Sequence, residues 1–313
     1  MSTTSDPIPS PRRPSPPGTW IRRNPIALKE LRGRMRGARA FIVLTGYVAL
    51  MSLFAILLYT FYTISSSATV TTSGGVIGKI IFAGVVVVEL FMVSFIAPAF
   101  TTGAISGERE RRTFNLLRTT LLPARRIVLG KLISALAYIV LLLLVAVPLQ
   151  SMAFLMGGMA IEEVLISVEI LLVSAITYSA IGILTSAWTK RTLSASVLTY
   201  TFTLLTTVAL PLGLLALLPF LLIGLDQLGQ PVLEAILLYG YGLLVSLNPV
   251  GAAIGTEVML LQKGTVFVSS YMLSSGASIP LISPWIVYTA IYGLVSFVLV
   301  VWSVRLVRRI EAA

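Results

Sequence analysis

Residues 77–100 read IGKIIFAGVVVVELFMVSFIAPAF, and this stretch decides what kind of fold the chain can adopt. Crossing the hydrocarbon core of a bilayer takes about 20 residues of helix. The stretch is that long, and its only charges are Lys79 near the start and Glu89 in the middle. Working outward, five more stretches match it: 40–62, 132–156, 164–188, 193–224 and 284–304. Of the 313 residues, 57% are hydrophobic and 11% charged, whereas a typical soluble domain is about a quarter charged. A soluble fold of this size has no core large enough for so much apolar surface, but a bilayer solvates it. The expected fold class is an all-α membrane protein with six transmembrane helices. The fifth span contains Pro211 and Pro219, and its far end is expected to kink or break there.

Basic residues set the orientation. Nine precede the first span: Arg12, Arg13, Arg22, Arg23, Lys29, Arg32, Arg34, Arg36 and Arg39. Seven lie between spans two and three: Arg109, Arg111, Arg112, Arg118, Arg125, Arg126 and Lys131. Lys190 and Arg191 separate spans four and five, and Arg305, Arg308 and Arg309 follow span six. Of the 23 Lys and Arg, only Lys79 and Lys263 fall on the other side. The rich side is therefore expected to be cytoplasmic, with both termini inside a cell inner membrane. Stretches 232–246 and 249–261 are apolar but short, and Gly240, Gly242 and Pro249 cut them. One extra span would reverse the side of Arg305, Arg308 and Arg309. Two short helices dipping in from the outer face, a re-entrant hairpin, keep the parity. Residues 264–283 are rich in Ser and Gly and read as an external loop. No internal repeat is apparent.

Residues 1–18 carry six prolines among small polar residues. Residues 1–19 read as a disordered cytoplasmic tail and 20–313 as the transmembrane domain. A cleaved signal peptide is not expected, because basic residues and a Pro/Ser-rich stretch precede the first apolar run near Ala40.

The chain has no His and no Cys. That excludes disulfides, Cys or His metal sites and Cys/His nucleophilic catalysis. A paired intramembrane aspartate site is also missing, because only Asp6 and Asp226 are present. No metal site and no catalytic residue are expected. The net charge of +11 is distributed as a membrane protein distributes it, so nucleic acid is not an expected partner.

The loop after span two is the most informative segment. Ser106 is read as an N-cap, with Glu108 and Glu110 in the first turn, where the macrodipole favours anions. Phe114 and Leu117 fall on one face of the same helix. A short charged helix with apolar teeth, fixed between two spans, suits docking to a soluble partner. The alternative is an ordinary solvated positive-inside loop. Upstream, Ile21, Leu28, Leu31 and Met35 approximate one face of a helix that is otherwise basic. Such a helix lies in the headgroup plane and meets anionic lipid at about 1 kcal/mol per charge. Glu89 costs several kcal/mol at the bilayer centre unless it is protonated or paired. It is a candidate for the translocation path, and equally for a structural hydrogen bond between helices. Glu162, Glu163 and Glu169 are weaker candidates near the outer headgroups. Tyr59, Tyr62, Tyr239, Tyr241 and Trp285 suit an outer aromatic belt, and Trp20, Trp188 and Trp302 an inner one.

Two blocks resemble the ABC-2 type permease family, the transmembrane subunits of ABC transporters. One is Asn24-Pro25-Ile26-Ala27-Leu28-Lys29-Glu30-Leu31-Arg32. The other runs Pro98-Ala99-Phe100-Thr101-Thr102-Gly103-Ala104-Ile105-Ser106-Gly107-Glu108-Arg109-Glu110-Arg111-Arg112-Thr113, followed by Ile127-Val128-Leu129-Gly130-Lys131. The second block is the specific part. The resemblance implies an interfacial connecting helix at 21–36 that includes Lys29, Glu30, Leu31 and Arg32. It implies a cytoplasmic coupling helix at 108–117, with Gly107, Glu108, Arg109, Glu110, Arg111, Arg112, Thr113 and Leu116 coupling to an ATPase partner. It further implies re-entrant outer helices between spans five and six, and a dimer with a second permease chain, homo- or heterodimeric, served by two copies of an ABC ATP-binding subunit.

The chain is not expected to hold the ATPase itself. A phosphate-cradling loop needs Gly-x-x-x-x-Gly-Lys-Ser/Thr. The nearest fragment, Gly74-Gly75-Val76-Ile77-Gly78-Lys79-Ile80, has the wrong spacing and no hydroxyl after the lysine. ATP and Mg are therefore expected on the partner, with no cofactor here. The resulting expectation is a permease subunit of an export-type transporter, itself no enzyme, moving an unidentified substrate. The alternative is a non-transporting membrane scaffold or anchor for an ATPase.

Overall fold

The computed structural model describes residues 29–31, 33, 38–66, 74–113, 123–157, 159–227 and 231–312. Six helices among them are long and apolar enough to cross a membrane: Phe41–Ile64, Ile77–Glu110, Ala124–Leu155, Ile161–Trp188, Thr192–Phe220 and Pro284–Arg309. The architecture is that of an all-α, multi-pass membrane protein. In chain order the elements are α1 (Ala38–Ser66), α2 (Gly74–Thr101), α3 (Ser106–Glu110), α4 (Ala124–Leu155), α5 (Ile161–Trp188) and α6 (Thr192–Leu204). A π-turn over Leu205–Ala209 follows, then α7 (Leu210–Gln227), α8 (Pro231–Ser246), α9 (Pro249–Lys263), β1 (Val268–Met272), β2 (Ser278–Ile282) and α10 (Pro284–Ala312).

Helix α5 is the central post, packing against α2, α4, α6, α9 and α10. Its buried positions include Ser174, Ala175, Ser179, Ala180, Gly182, Ser186 and Ala187. Small residues let helix backbones approach where lipid supplies no hydrophobic drive. At Gly182 the approach is so close that an added Cβ would run into the Thr101 side chain of α2. The main core joins Met51 of α1, Val85 and Leu90 of α2, Ile139 and Leu142 of α4, and Ile170, Leu171 and Tyr178 of α5. A second cluster closes the α3 end, from Ile105, Val128, Leu132, Ile183, Ala187 and Val307. Large apolar side chains stay outside both, Phe61 being 73% and Leu193 77% exposed. In water that surface would be a liability, but in a bilayer it faces lipid.

Several boundaries differ from expectation. Span three was expected to start at Leu132, but α4 starts at Ala124, behind Pro123. Arg125, Arg126 and Lys131 thus form its first two turns rather than loop. Residues 264–283 are not an irregular loop: β1 and β2 pair antiparallel with Val268 opposite Ile282, and Gly276 takes a left-handed φ of 80° in the turn. Glu234 of α8 holds this hairpin by accepting from the Ser274 N–H at 3.0 Å and its hydroxyl at 2.7 Å. The two short apolar helices, α8 and α9, lie where expected, linked by Leu247 and Asn248.

The fifth span does not break at its prolines. Pro219 lies inside α7, and the irregularity is the π-turn just before Pro211. There the Leu210 N–H reaches back to the Leu205 carbonyl. Pro211, next in line, has no N–H for the Thr206 carbonyl. The Asn248 side-chain amide donates to that carbonyl instead, and its Oδ1 accepts from the Gly251 N–H at 2.7 Å to cap α9. A side chain on a neighbouring helix thus satisfies the backbone group that the proline orphans.

Candidate functional site

Residues 102–113, the described part of the segment after α2, are held by their own chain more tightly than a solvated loop. The helix there, α3, spans only Ser106–Glu110. Ser106 is not the N-cap: Ile105 occupies that position, and the Ser106 hydroxyl donates to the Thr102 carbonyl at 2.9 Å. The Ile105 and Ser106 N–H groups donate instead to Ser186 Oγ of α5, at 2.9 and 3.0 Å. A hydroxyl from another helix thus does the capping. The helix also stops well short of the expected Leu117. Arg112 adopts a left-handed φ of 57°, while the Thr113 N–H donates to the Glu108 carbonyl and the Arg112 N–H to that of Arg109, both at 3.0 Å. That paired pattern, with one left-handed residue, terminates a helix. Phe114, Leu116 and Leu117 lie outside the described residues.

Three side chains expected to couple to an ATPase partner make contacts within the chain. Glu108 accepts from Lys131 Nζ at 2.8 Å. Arg109 Nη1 donates to the Thr189 carbonyl at 3.2 Å. Glu110 accepts from both the N–H and the hydroxyl of Thr192, each at 2.8 Å. Among the described residues of this segment, only Glu110, Arg111, Arg112 and Thr113 are exposed.

Lys131 is the pivot. Its side chain is 3% exposed, and its Nζ also lies 2.8 Å from Glu30 Oε1. Ser134 donates to the other Glu30 oxygen at 2.9 Å. A buried ammonium is tolerated only when paired, and here the partners are a carboxylate from the N-terminal segment and one from α3. The N-terminal segment, α3 and the third span therefore meet at one nitrogen. Lys29, Glu30 and Leu31 are helical; Arg32 and the rest of 21–36, read above as a connecting helix, lie largely outside the described residues. A cavity of about 770 Å³ opens beside the junction, bordered by Lys29, Gly103, Gly107 and Arg111.

Midway along α2, Glu89 is fully buried. Gln150 Nε2 of α4 donates to both its carboxylate oxygens, at 3.0 and 2.8 Å. Around the π-turn, hydroxyls form a chain, with Tyr178 OH 2.7 Å from Thr207 Oγ1 and Thr207 Oγ1 3.0 Å from Ser94 Oγ. At the opposite end from α3, Lys79 Nζ lies 2.9 Å from both Glu163 and Glu257, tying α9 to α2 and α5. No group of His, Cys, Asp or Glu able to hold a metal occurs among the described residues.

Sequence reasoning singled out Glu108 and Glu110 but missed their partners. It placed Lys131 among the loop charges and in the family-resembling block without giving it a partner, and it passed over Gln150, Ser186, Thr192, Asn248 and Glu257. Two of these left a signal: Gln150 is an amide in an apolar run, and Pro123 marks a helix start that places Lys131 two turns inside.

No family model matches the sequence, and no curated protein matches it. The resemblance to ABC-2 type permeases is carried by residues 24–32, 98–113 and 127–131.

Proposed function

We propose that this chain is the permease subunit of an export-type ABC transporter of the ABC-2 type. It moves an unidentified substrate across the inner membrane, using ATP hydrolysed by a separate nucleotide-binding subunit. The observation that carries the reading is the Lys131 junction. A force applied to the segment 107–113 passes through Glu108 to Lys131 and so to the third span. It passes through Glu110 to the start of the fifth, and through Ser186 to the end of the fourth. One short element thus has a rigid link to three spans, which suits conversion of a partner's movement into inward-open and outward-open states. The exposed Arg111, Arg112 and Thr113 form the face offered to the ATPase, and Glu108, Arg109 and Glu110 form the linkage behind it.

In this reading two such chains pair, each with one ATPase subunit, both termini lie in the cytoplasm, and α8 and α9 dip in from the outer face. The test is to purify the chain from its own membranes. An ATP-binding subunit should accompany it, and Arg111→Glu with Arg112→Glu should release that subunit while the permease stays monodisperse. If no ATPase accompanies the chain, or if the charge reversal leaves the complex intact, the assignment fails. Reconstituted vesicles separate a transporter from a scaffold, because only a transporter shows ATP-dependent flux.

A further inference from the structure

A cavity of about 240 Å³ lies between α2, α5 and α9, at the end opposite α3. Each of the three helices lines it with one charged residue and several apolar ones, and on α9 apolar residues lie on both sides of the charge. On α2, Lys79 is followed one and two turns down by Phe82 and Val86. On α5, Glu163 is followed by Ile166 and Ile170. Helix α9 runs the other way, with Ala253 and Ile254 lying one turn before Glu257. The lining on α2 extends from Lys79 to Val87, about 12 Å at 1.5 Å per residue. The space is elongated along α2, and its apolar lining residues Ile254 and Val258 are 55% and 43% exposed, on a surface that meets lipid in a bilayer. That shape suits one acyl chain with its headgroup at the charged cluster.

The charges select the headgroup. Two carboxylates face one ammonium, leaving the cluster one negative charge in excess. Lys79 takes a single oxygen from each carboxylate. A primary ammonium has three N–H donors and fits the remaining oxygens, while the phosphate beside it falls toward Lys79. A quaternary ammonium has no N–H to donate, and an anionic headgroup meets carboxylate repulsion. We propose that this cavity is a binding site for a bilayer phospholipid bearing a primary amine, with one chain between α2, α5 and α9 and its ammonium on Glu163 and Glu257.

The experiment is native mass spectrometry of the detergent-purified full chain, offered equal amounts of dioleoyl-phosphatidylethanolamine, -phosphatidylcholine and -phosphatidylglycerol. The ethanolamine lipid should be retained about fivefold over each of the others, the ratio expected of one partly screened ion pair. Glu163→Gln with Glu257→Gln should bring the three to parity, and Ala253→Phe, which fills the cavity, should abolish the preference too. Monodispersity is checked for each variant. Glu257→Gln alone replaces the double variant if that one does not fold, and should at least halve the preference. Equal retention by the natural chain, a preference for the glycerol lipid, or an ethanolamine preference that survives removal of the carboxylates would overturn the proposal.

Discussion

Thr192 places both its N–H and its hydroxyl 2.8 Å from the two carboxylate oxygens of Glu110. Thr192 is the first residue of α6, so a carboxylate from α3 satisfies an N–H that the helix itself leaves open. This joins the segment after the second span to the start of the fifth. Glu110→Ala should free the first turn of α6 without unfolding the protein. The readout is faster amide hydrogen exchange at Thr192 and its neighbours with an unchanged melting temperature. Exchange at the natural rate would show that the pairing does not hold that turn.

Lys131 separates two carboxylates that would otherwise face each other, Glu30 and Glu108. Lys131→Met should destabilise the protein by about 1–3 kcal/mol, less than a fully buried pair because both carboxylates are partly exposed. Adding Glu30→Gln and Glu108→Gln should recover much of the loss, because the repulsion goes with the charges. If the chain couples to an ATPase as proposed, the complex carrying Lys131→Met should still hydrolyse ATP but transport less. Recovery of stability without recovery of coupling would place the junction on the transmission path.

Glu89 and Gln150 provide a way to separate architecture from transport. Gln150→Leu leaves the carboxylate buried without its donor and should cost about 1–3 kcal/mol. Glu89→Gln keeps the shape and a side-chain hydrogen bond to Gln150 while removing the ionisable carboxyl. If the chain is a transporter as proposed and Glu89 is structural, this variant melts like the natural chain and keeps its flux. A stable variant with reduced flux would put the carboxylate on the translocation path.

Arg112 sits in the left-handed position that ends α3, where a side chain costs about 1–2 kcal/mol relative to glycine. Arg112→Gly should therefore raise the melting temperature. If Arg112 also faces the ATPase, the same change weakens binding of that subunit, so stability and affinity move in opposite directions.

What the sequence made legible follows the range of the interactions. Spans are runs of apolar residues, a local property, and all six were readable. The two short helices α8 and α9 were readable too, as apolar runs with Pro249 at the start of α9, although Gly240 and Gly242, read as cutting the first run, lie inside α8. The start of α4 was misplaced because Arg125, Arg126 and Lys131 look like loop charges until Pro123 is taken as a helix start. Short alternation such as Val268 to Met272 is a weak strand signal among serines, so the hairpin was hidden. The candidate site was half legible. Glu108 and Glu110 were conspicuous, but Lys131 reaches Glu30 across 101 positions, and Thr192 reaches Glu110 across 82. Pairings at that separation depend on which helices pack together, and one sequence does not carry that.

The clearest test of packing is the proline relay between spans. Asn248 does two jobs, capping α9 and supplying the donor that Pro211 denies to the Thr206 carbonyl. Asn248→Ala removes both and should cost about 1 kcal/mol for the cap and a further 1–3 kcal/mol, approximately, for the buried carbonyl left unpaired. Pro211→Ala restores a backbone N–H one residue after the π-turn, where it can reach the same carbonyl. Alone, it should change stability little, since the carbonyl already has a partner. Combined with Asn248→Ala, it should return the carbonyl's share of the loss and leave only the cap's. The two substitutions are therefore expected to be non-additive, with a favourable coupling of about 1–3 kcal/mol. Measured additivity would mean that the Asn248 amide contributes nothing at Thr206, and that the π-turn is held by its own lipid-facing packing.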